Sequence, residues 1–312
     1  MISNCLFVCN NARKGGAFYN NGTPAIWNCT FSGNNTVGAG ESERNGGGIN
    51  NYNGTLFMAN SVICSNYSPA GSGCLGGGMF LYQGSAVISN CVFVGNGTGN
   101  SGGGVAISYN GTGMRLLTQC AFVGNTPQGI YTVYAIGATT TIVVNACTVR
   151  RNYSLGIYED LSCSRWTNCI VWDNQTTDWY MRDSTNLVSY TATTGGVAGI
   201  SKLRSLVTDG GGNLNANPLF ADSVTGSWTA AGSYDPNLDR STLIATNAAW
   251  TPNEHAGKAV WANTNSYYTY FYVVTNTATT LVVQARADGV ATNTARYEII
   301  DIHEKSKLGR YT

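Results

Sequence analysis

Apolar residues fall in short runs of alternating apolar and polar positions, separated by glycine and asparagine, with no helical spacing. A glycine pair followed by an apolar residue recurs, as in Gly15-Gly16-Ala17 and Gly47-Gly48-Ile49. A second motif reads polar-Cys-x-aromatic-x-x-Asn, with some variation. Its final asparagines follow one another at intervals of 22 to 32 residues: Asn10, Asn34, Asn66, Asn96, Asn125, Asn152 and Asn174. Short strands between glycine corners at this period predict an all-β coil of stacked parallel strands.

Stacking predicts columns of like side chains, because equivalent residues of adjacent parallel strands lie roughly 4.7–4.9 Å apart. The repeated asparagines should form an amide ladder at a bend, where asparagine tolerates left-handed backbone. Turn dipeptides such as Asn21-Gly22 and Asn53-Gly54 should supply the positive φ of another corner. One column should be apolar and buried: Phe7, Phe31, Ile63, Phe93, Phe122, Val149 and Val171. We therefore predict a right-handed parallel β-helix (a solenoid) over residues 1–222.

The two motifs resemble the repeats of chlamydial-type polymorphic outer-membrane proteins and related bacterial β-helix surface proteins. The likeness rests on segments such as Gly15-Gly16-Ala17-Phe18, Phe31-Ser32-Gly33-Asn34 and Phe93-Val94-Gly95-Asn96, and it covers about residues 1–174. It implies a surface-displayed adhesive or structural role. The segment 213–222 is similar to the closing turn of many bacterial β-helix proteins, and Pro218 would end strand pairing there.

Beyond that turn, residues 223–248 are expected to be a linker or closing segment. Residues 249–312 are expected to form a small C-terminal β domain, with Thr-rich strands at 268–274, 280–284 and 297–302. The stretch from Trp250 to Thr280 is similar to a module of phage tail and bacterial surface proteins. That resemblance carries no activity.

The formal net charge is +1 and 11% of residues are charged, so nothing favours binding to nucleic acid or to an anionic membrane. No apolar run reaches the roughly 18 residues of a membrane-spanning helix, so no membrane span is expected. Few charges with many Asn and Thr residues are typical of extracellular repeat proteins. We therefore expect the protein outside the cytoplasm, at the cell surface or released from it.

Ten cysteines are present, and six share one repeat position, which predicts inward-facing thiols rather than disulfides. Ser61 completes this cysteine column, whose members are Cys5, Cys29, Cys91, Cys120, Cys147 and Cys169. Cys64 and Cys74 flank a loop and are the pair expected to be bridged, while for Cys9 and Cys163 the pattern is compatible with thiols and with disulfides. No Cys-x-x-Cys pair has a second Cys or His pair, so no metal site or cofactor is expected.

Candidate chemistry is concentrated in residues 150–183, which carry nine charges, whereas residues 1–149 carry six. One hypothesis is a polysaccharide groove in the manner of β-helix lyases and hydrolases or tailspikes. Its catalytic candidates would be Asp173, Asp178, Asp183 and Arg151. The residues expected to bind a sugar under either hypothesis are Trp172, Trp179, Tyr180, Tyr158 and Arg150.

The structural alternative uses the same residues. Alignment on the repeated asparagines places Arg150 on Trp172 and Arg151 on Asp173, and the register then places Asp160 beside Arg182. Opposite charges in neighbouring repeats would stabilise a stack without any catalysis. The favoured hypothesis is therefore a non-enzymatic extracellular surface or fibre protein, an adhesin or structural protein. The alternative is a carbohydrate-active enzyme.

Partners follow from the same pattern. Cys5 and Phe7 occupy core positions in the first recognisable strand, so their outer side should be covered. We expect either upstream sequence or a second copy there, and head-to-tail stacking of copies could propagate as a filament. A cell-surface partner or a polysaccharide are the other partners expected.

Overall fold

The computed structural model describes residues 1–38, 45–69, 73–108, 113–135, 142–218, 220, 223–266 and 269–302. Within these ranges the chain is all-β apart from one short 3-10 helix, Gly196–Gly199. Two compact units are present, Met1–Pro218 and Leu219–Thr312.

Parallel strands build the first unit, and successive repeats add one strand each to sheets 1, 2 and 3 in turn. Sheet 1 has eight strands, of which the first four begin shortly after the glycine pairs. They are Phe18–Asn20, Ile49–Asn51, Met79–Leu81, Val105–Ser108, Gln128–Ala135, Leu155–Thr167, Thr177–Arg182 and Ser201–Leu203. Sheet 2 comes next: Ile2–Ser3, Ala25–Trp27, Thr55–Ala59, Ser85–Ser89, Arg115–Thr118, Ile142–Asn145, Leu155–Thr167, Thr185–Ser189 and Leu206–Asp209. The strand Leu155–Thr167 runs through both and joins them into one 16-stranded sheet.

Sheet 3 has eight strands, which contain the aromatic position of the second motif: Leu6–Val8, Thr30–Ser32, Val62–Cys64, Val92–Val94, Ala121–Val123, Thr148–Arg150, Ile170–Trp172 and Ala192–Thr193. Sheet 4 consists of four short strands: Asn11–Ala12, Asn35–Thr36, Tyr67–Ser68 and Gly97–Thr98. Every strand pairing among these four sheets is parallel, and each strand pairs with the strand one repeat away.

The predicted apolar column is confirmed in sheet 3, where Phe7, Phe31 and Ile63 are register partners and the column continues to Val171. The rings of Phe93 and Phe122 stack with centroids 4.8 Å apart. Both side chains are fully buried in the core of the unit. Burying each large apolar side chain contributes about 1.5–3 kcal/mol, so the column is a main source of stability.

The amide ladder is confirmed as well. The main-chain N–H and the Nδ2 of Asn34 both donate to Oδ1 of Asn66, at 3.0 and 2.8 Å. Asn66 donates in turn to the Phe31 carbonyl and to the next asparagine. The same pattern runs from Asn10 to Asn174. All the side-chain hydrogen-bonding capacity of an interior asparagine is used, which lets the amides lie buried.

The position of the left-handed residues differs from the expectation. Positive φ lies at the residue before each ladder asparagine, as at Gly33 (62°) and Ser65 (53°). Of the turn glycines, Gly84 has a φ of 77°, whereas Gly22 and Gly54 do not have positive φ. The ladder asparagines are held by their side chains, so the residue before each can take the left-handed corner.

The cysteine column is buried at five of its six positions, and Cys5 is exposed. Cys5 precedes the strand Leu6–Val8, which pairs with one neighbouring copy only. Each buried thiol donates to a carbonyl two residues earlier, as Cys91 does to Ser89. Burial raises the pKa of the Cys169 thiol to about 12. The bridged pair expected from the sequence is wrong, because both of its cysteines are buried thiols and no disulfide is present among the ten cysteines.

The second unit is an antiparallel sheet, ordered by pairing as Val224–Ser227, Arg296–Ile300, Ala259–Trp261, Tyr270–Asn276, Thr280–Gln284, Arg240–Ile244 and Ala230–Asp235. The segment 223–248, expected to be a linker or closing segment, supplies three of these strands. The first and last strands are consecutive in the chain and meet at Trp228 and Thr229. Trp228 N–H donates to Ala295 and Thr229 N–H donates to Ile244, so the sheet closes on itself around a core of apolar side chains.

Candidate functional site

Six of the nine charged residues of 150–183 form ion pairs across neighbouring repeats, and two of these pairs are the ones that the register predicted. Arg151 Nε lies 2.7 Å from Asp173 Oδ2, and Arg150 Nη2 lies 3.8 Å from the same oxygen. Arg182 forms an ion pair with Asp160, which is buried. Both predicted pairs are confirmed, so these carboxylates are already engaged by arginines.

The series continues one repeat beyond the predicted pairs. Arg204 Nη2 lies 2.7 Å from Asp183 Oδ2. Sequence reasoning missed this pair because the repeat motifs fade after Asn174. The signal was the basic residue 22 positions after Arg182, at the spacing of the preceding copies.

Asp178 ends the amide ladder. Its Oδ1 accepts from the main-chain N–H and the Nδ2 of Asn174, at 3.1 and 2.9 Å, as an asparagine of the next copy would. Its Oδ2 accepts from the hydroxyl and the N–H of Thr194. The side chain is buried. The arrangement gives Asp178 a structural role and leaves it poorly placed to reach a substrate.

Glu159 is the one acidic side chain among the described residues that is completely buried. It points inward from sheet 1 and accepts hydrogen bonds from Ser164, from Trp166 Nε1 at 2.8 Å and from Asn186. Burial raises its pKa to about 7, against which the three donors act. Since the carboxyl has no opening to solvent, it can change the stability of the fold but not a bound ligand.

The aromatic residues expected to bind a sugar are not in one place. Trp179 lies inside the first unit with 1% exposure, packed edge-on against Trp166 at 4.7 Å, so its expected binding role is wrong. Trp172 is partly exposed on sheet 3, in register with the buried Arg150. Tyr158 and Tyr180 are partly exposed on the outer face of sheet 1, with ring centroids 5.3 Å apart.

Tyr158 and Tyr180 belong to a longer array on that face, which we call the aromatic strip. It has seven members: Tyr19, Tyr52, Phe80, Tyr82, Tyr131, Tyr158 and Tyr180. Neighbouring rings lie 5.1 to 5.9 Å apart along two runs, one from Tyr19 to Phe80 and one from Tyr131 to Tyr180. The strip therefore places aromatic rings on six of the eight strands of sheet 1 or directly after them.

Exposure along the aromatic strip is greatest at the end that holds Tyr19 and Tyr52, while Tyr180 at the other end is half-buried. Tyr19 and Tyr52 are exposed, and the ammonium of Lys14 lies 5.4 Å from the Tyr52 ring centroid. Tyr131 is 9% exposed, and burial, followed by the Asp160 charge, raises the pKa of its hydroxyl. Both ends can meet an extended ligand, while the middle is packed against neighbouring side chains.

Five of the seven strip residues were not predicted from the sequence, because only the aromatic residues near the charged segment 150–183 were considered as candidates. The available signal was the alternation of strand positions: from the pair Gly47-Gly48 onward, the outward positions of sheet 1 lie two and four residues after the last glycine, whereas Tyr19 follows Gly16 by three. Phe80 and Tyr82, for example, follow Gly78 at these spacings.

Comparison of the chain with protein-family models, with curated proteins and with solved structures found no match. Among the described residues there is no helix long and apolar enough to cross a membrane. The same part of the chain has no group of three or more His, Cys, Asp or Glu side chains that could hold a metal ion.

Proposed function

We propose that residues 1–222 form a right-handed parallel β-helix and that the remaining strands form a separate β domain. The parallel strands of sheets 1 to 3 are joined by crossovers, and such crossovers are right-handed in about 98% of cases. The repeat motifs that resemble those of polymorphic outer-membrane proteins support the same fold. They also support a place outside the cell or on its surface.

We further propose that the protein is a non-enzymatic surface protein that binds a polysaccharide along the aromatic strip. The observation that carries this proposal is the column of rings at 5.1 to 5.9 Å, close to the repeat of the coil. Aromatic rings offer large, rigid contact surfaces with a polar hydroxyl, which suits the apolar faces and hydroxyls of sugars. An extended polymer could contact both ends of such a strip.

The charges support binding rather than catalysis. A glycoside hydrolase needs two carboxylates that both reach the scissile bond. Asp173 and Asp183 are paired with arginines, Asp178 is bound to the amide ladder, and Asp160 is buried beside Arg182. Each carboxylate is thus committed to a contact between neighbouring repeats, which stabilises the stack.

The experiment is affinity electrophoresis of the full chain through gels that contain dextran, xylan, alginate or polygalacturonate. We expect at least one polymer to retard the protein. Tyr52→Ala and Tyr180→Ala, in the two separate runs of the aromatic strip, should each weaken binding more than about fivefold, the loss expected for a residue that carries much of the binding energy. Tyr190→Ala is the matched control, because Tyr190 is 58% exposed and lies outside the strip.

Two results would overturn the proposal. One is migration unaffected by every polymer. The other is binding that Tyr190→Ala weakens as much as the strip variants do.

A further inference from the structure

The second unit has an opening in the seam where its sheet closes. The strand Val224–Ser227 pairs with Arg296–Ile300, and the chain crosses to the other side of the seam at Thr229, whose N–H donates to Ile244 at 2.8 Å. A cleft of about 690 Å³ lies between the strand Val224–Ser227 and the segment that contains Asn247 and Ala248. We call it the seam cleft. Its volume falls within the roughly 300–1,000 Å³ of small-molecule sites.

Backbone groups point into this opening. Trp228 donates its N–H to Ala295, so Trp228 and Gly226 direct their main-chain groups toward the paired strand. In an antiparallel pair, the main-chain groups of every second residue point away from the paired strand. The N–H and C=O groups of Thr225 and Ser227 therefore face the seam cleft, which both residues line.

The floor of the seam cleft is an aromatic side chain with an unused hydroxyl. Tyr297 is only 4% exposed, and its ring packs between Trp228 and Trp250 at 4.3 and 5.9 Å. Its hydroxyl makes no hydrogen bond to any described residue. The hydroxyl lies over Gly226, where a Cβ would come within 2.3 Å of it. A glycine at this position thus keeps room for a polar atom that has no protein partner.

The rim of the seam cleft is polar and locally strained. Asn247 and Asn293 are exposed amides on two sides of it. Thr294, next to Asn293, has a φ of 69°, a left-handed conformation that β-branched residues rarely adopt. Strain of this kind costs about 1–3 kcal/mol and concentrates at functional sites. None of the described residues that line the cleft is charged.

We propose that the seam cleft binds a neutral mono- or disaccharide unit. Main-chain groups of Thr225 and Ser227 and the residues Asn247 and Asn293 line it, and the Tyr297 hydroxyl offers a hydrogen bond from the floor. A ligand rich in hydroxyls and without charge matches this lining, because it can satisfy donors and acceptors without bringing an unpaired charge into the cleft. The site is separate from the aromatic strip, which belongs to the first unit.

An extended peptide fits this opening less well. Only Thr225 and Ser227 offer free strand edges before the seam closes at Thr229. A strand added to a sheet edge ordinarily pairs over about five or six residues. The short free edge and the seven lining residues that have a hydroxyl or amide side chain favour the saccharide.

The test uses the full chain and four neutral probes: maltose, cellobiose, lactose and N,N′-diacetylchitobiose. Saturation-transfer NMR and a titration of tryptophan fluorescence would measure binding. At least one probe should bind, while digalacturonic acid should bind more weakly. Tyr297→Phe and Asn293→Ala should each reduce affinity about fivefold, the effect of one lost hydrogen bond. Asn265→Ala alters an exposed amide of the same unit outside the cleft and should change nothing.

Tyr297→Phe removes one unpaired oxygen and should leave the thermal midpoint unchanged, so a loss of binding would not reflect misfolding. Tyr180→Ala should also leave probe affinity unchanged, which separates the seam cleft from the aromatic strip. The proposal would be overturned if no neutral probe bound, or if digalacturonic acid or a peptide bound more strongly. It would also be overturned if Tyr297→Phe and Asn293→Ala bound the probes as tightly as the unchanged protein does.

Discussion

Replacing one interior asparagine of the amide ladder should cost a large share of the stability of the first unit. Asn125 is fully buried. In Asn125→Ala, the main-chain N–H of Asn96 loses its acceptor at 3.1 Å, and the Asn96 amide loses its acceptor at 3.0 Å. The Phe93 carbonyl loses its donor at 3.0 Å. Each of these three buried groups left without a partner costs about 1–3 kcal/mol, so we expect a loss of about 3–9 kcal/mol.

The matched control is Asn10→Ala, at the exposed end of the same ladder. Asn10 donates to Asn34, whose Oδ1 keeps the bond from the Asn10 main-chain N–H after the change. We therefore expect a loss below about 1 kcal/mol. Urea unfolding followed by circular dichroism would measure both variants. Equal losses, or a loss below about 1 kcal/mol for Asn125→Ala, would refute the reasoning.

Three further predictions concern the buried Glu159, the partly exposed pair of Arg151 and Asp173, and the cysteines. The pKa of Glu159 is about 7 in the folded protein against an ordinary 4.5. The native state therefore keeps a proton that the unfolded chain releases, and its unfolding free energy should fall by about 3 kcal/mol as pH rises from 4.5 to 7. The free energy of unfolding, measured by urea titration at each pH, should depend less on pH in Glu159→Gln than in the unchanged protein. The same pH dependence in both proteins would contradict this. Arg151→Ala should cost at most about 1 kcal/mol, because Asp173 is 44% exposed, and a urea midpoint lower by several times that would show a tighter pair. Thiol titration should find Cys5 and Cys9 fast and the five buried column thiols slow until unfolding; fast reaction of all would disprove the burial.

Features fixed by stacking could be predicted from the sequence. An asparagine or phenylalanine that recurs at one repeat position contacts the residue at the same position in the repeats before and after it. The partners of Asn96 and Phe93 could therefore be predicted from the repeat alone. The pairs of Arg151 with Asp173 and of Asp160 with Arg182 followed from the same register. Left-handed corners were placed one residue late, because the pattern marks the side chain that holds a bend rather than the backbone that makes it.

Features that depend on which way a strand faces, or on contacts far apart in the chain, could not be predicted. Successive side chains of a strand point to opposite faces, so Trp179 points to the interior and Tyr180 belongs to the aromatic strip. A shift of one residue in the strand would exchange the two. In the second unit Trp228 bonds to Ala295 and Thr229 bonds to Ile244, on the two sides of the seam, and Trp228 and Ala295 are far apart in sequence and share no repeat. Nothing periodic in the chain indicates such a pairing, so the seam cleft was not foreseen.

The most direct test of the proposed non-enzymatic function is the chain length of a polysaccharide that the protein retains. The full chain would be incubated with that polymer, and new reducing ends and unsaturated ends would be counted over time. We predict bound polymer of unchanged length, with identical results for Asp173→Asn and Asp178→Asn. Steady release of new ends that either substitution abolishes would contradict the account and identify a carbohydrate-active enzyme.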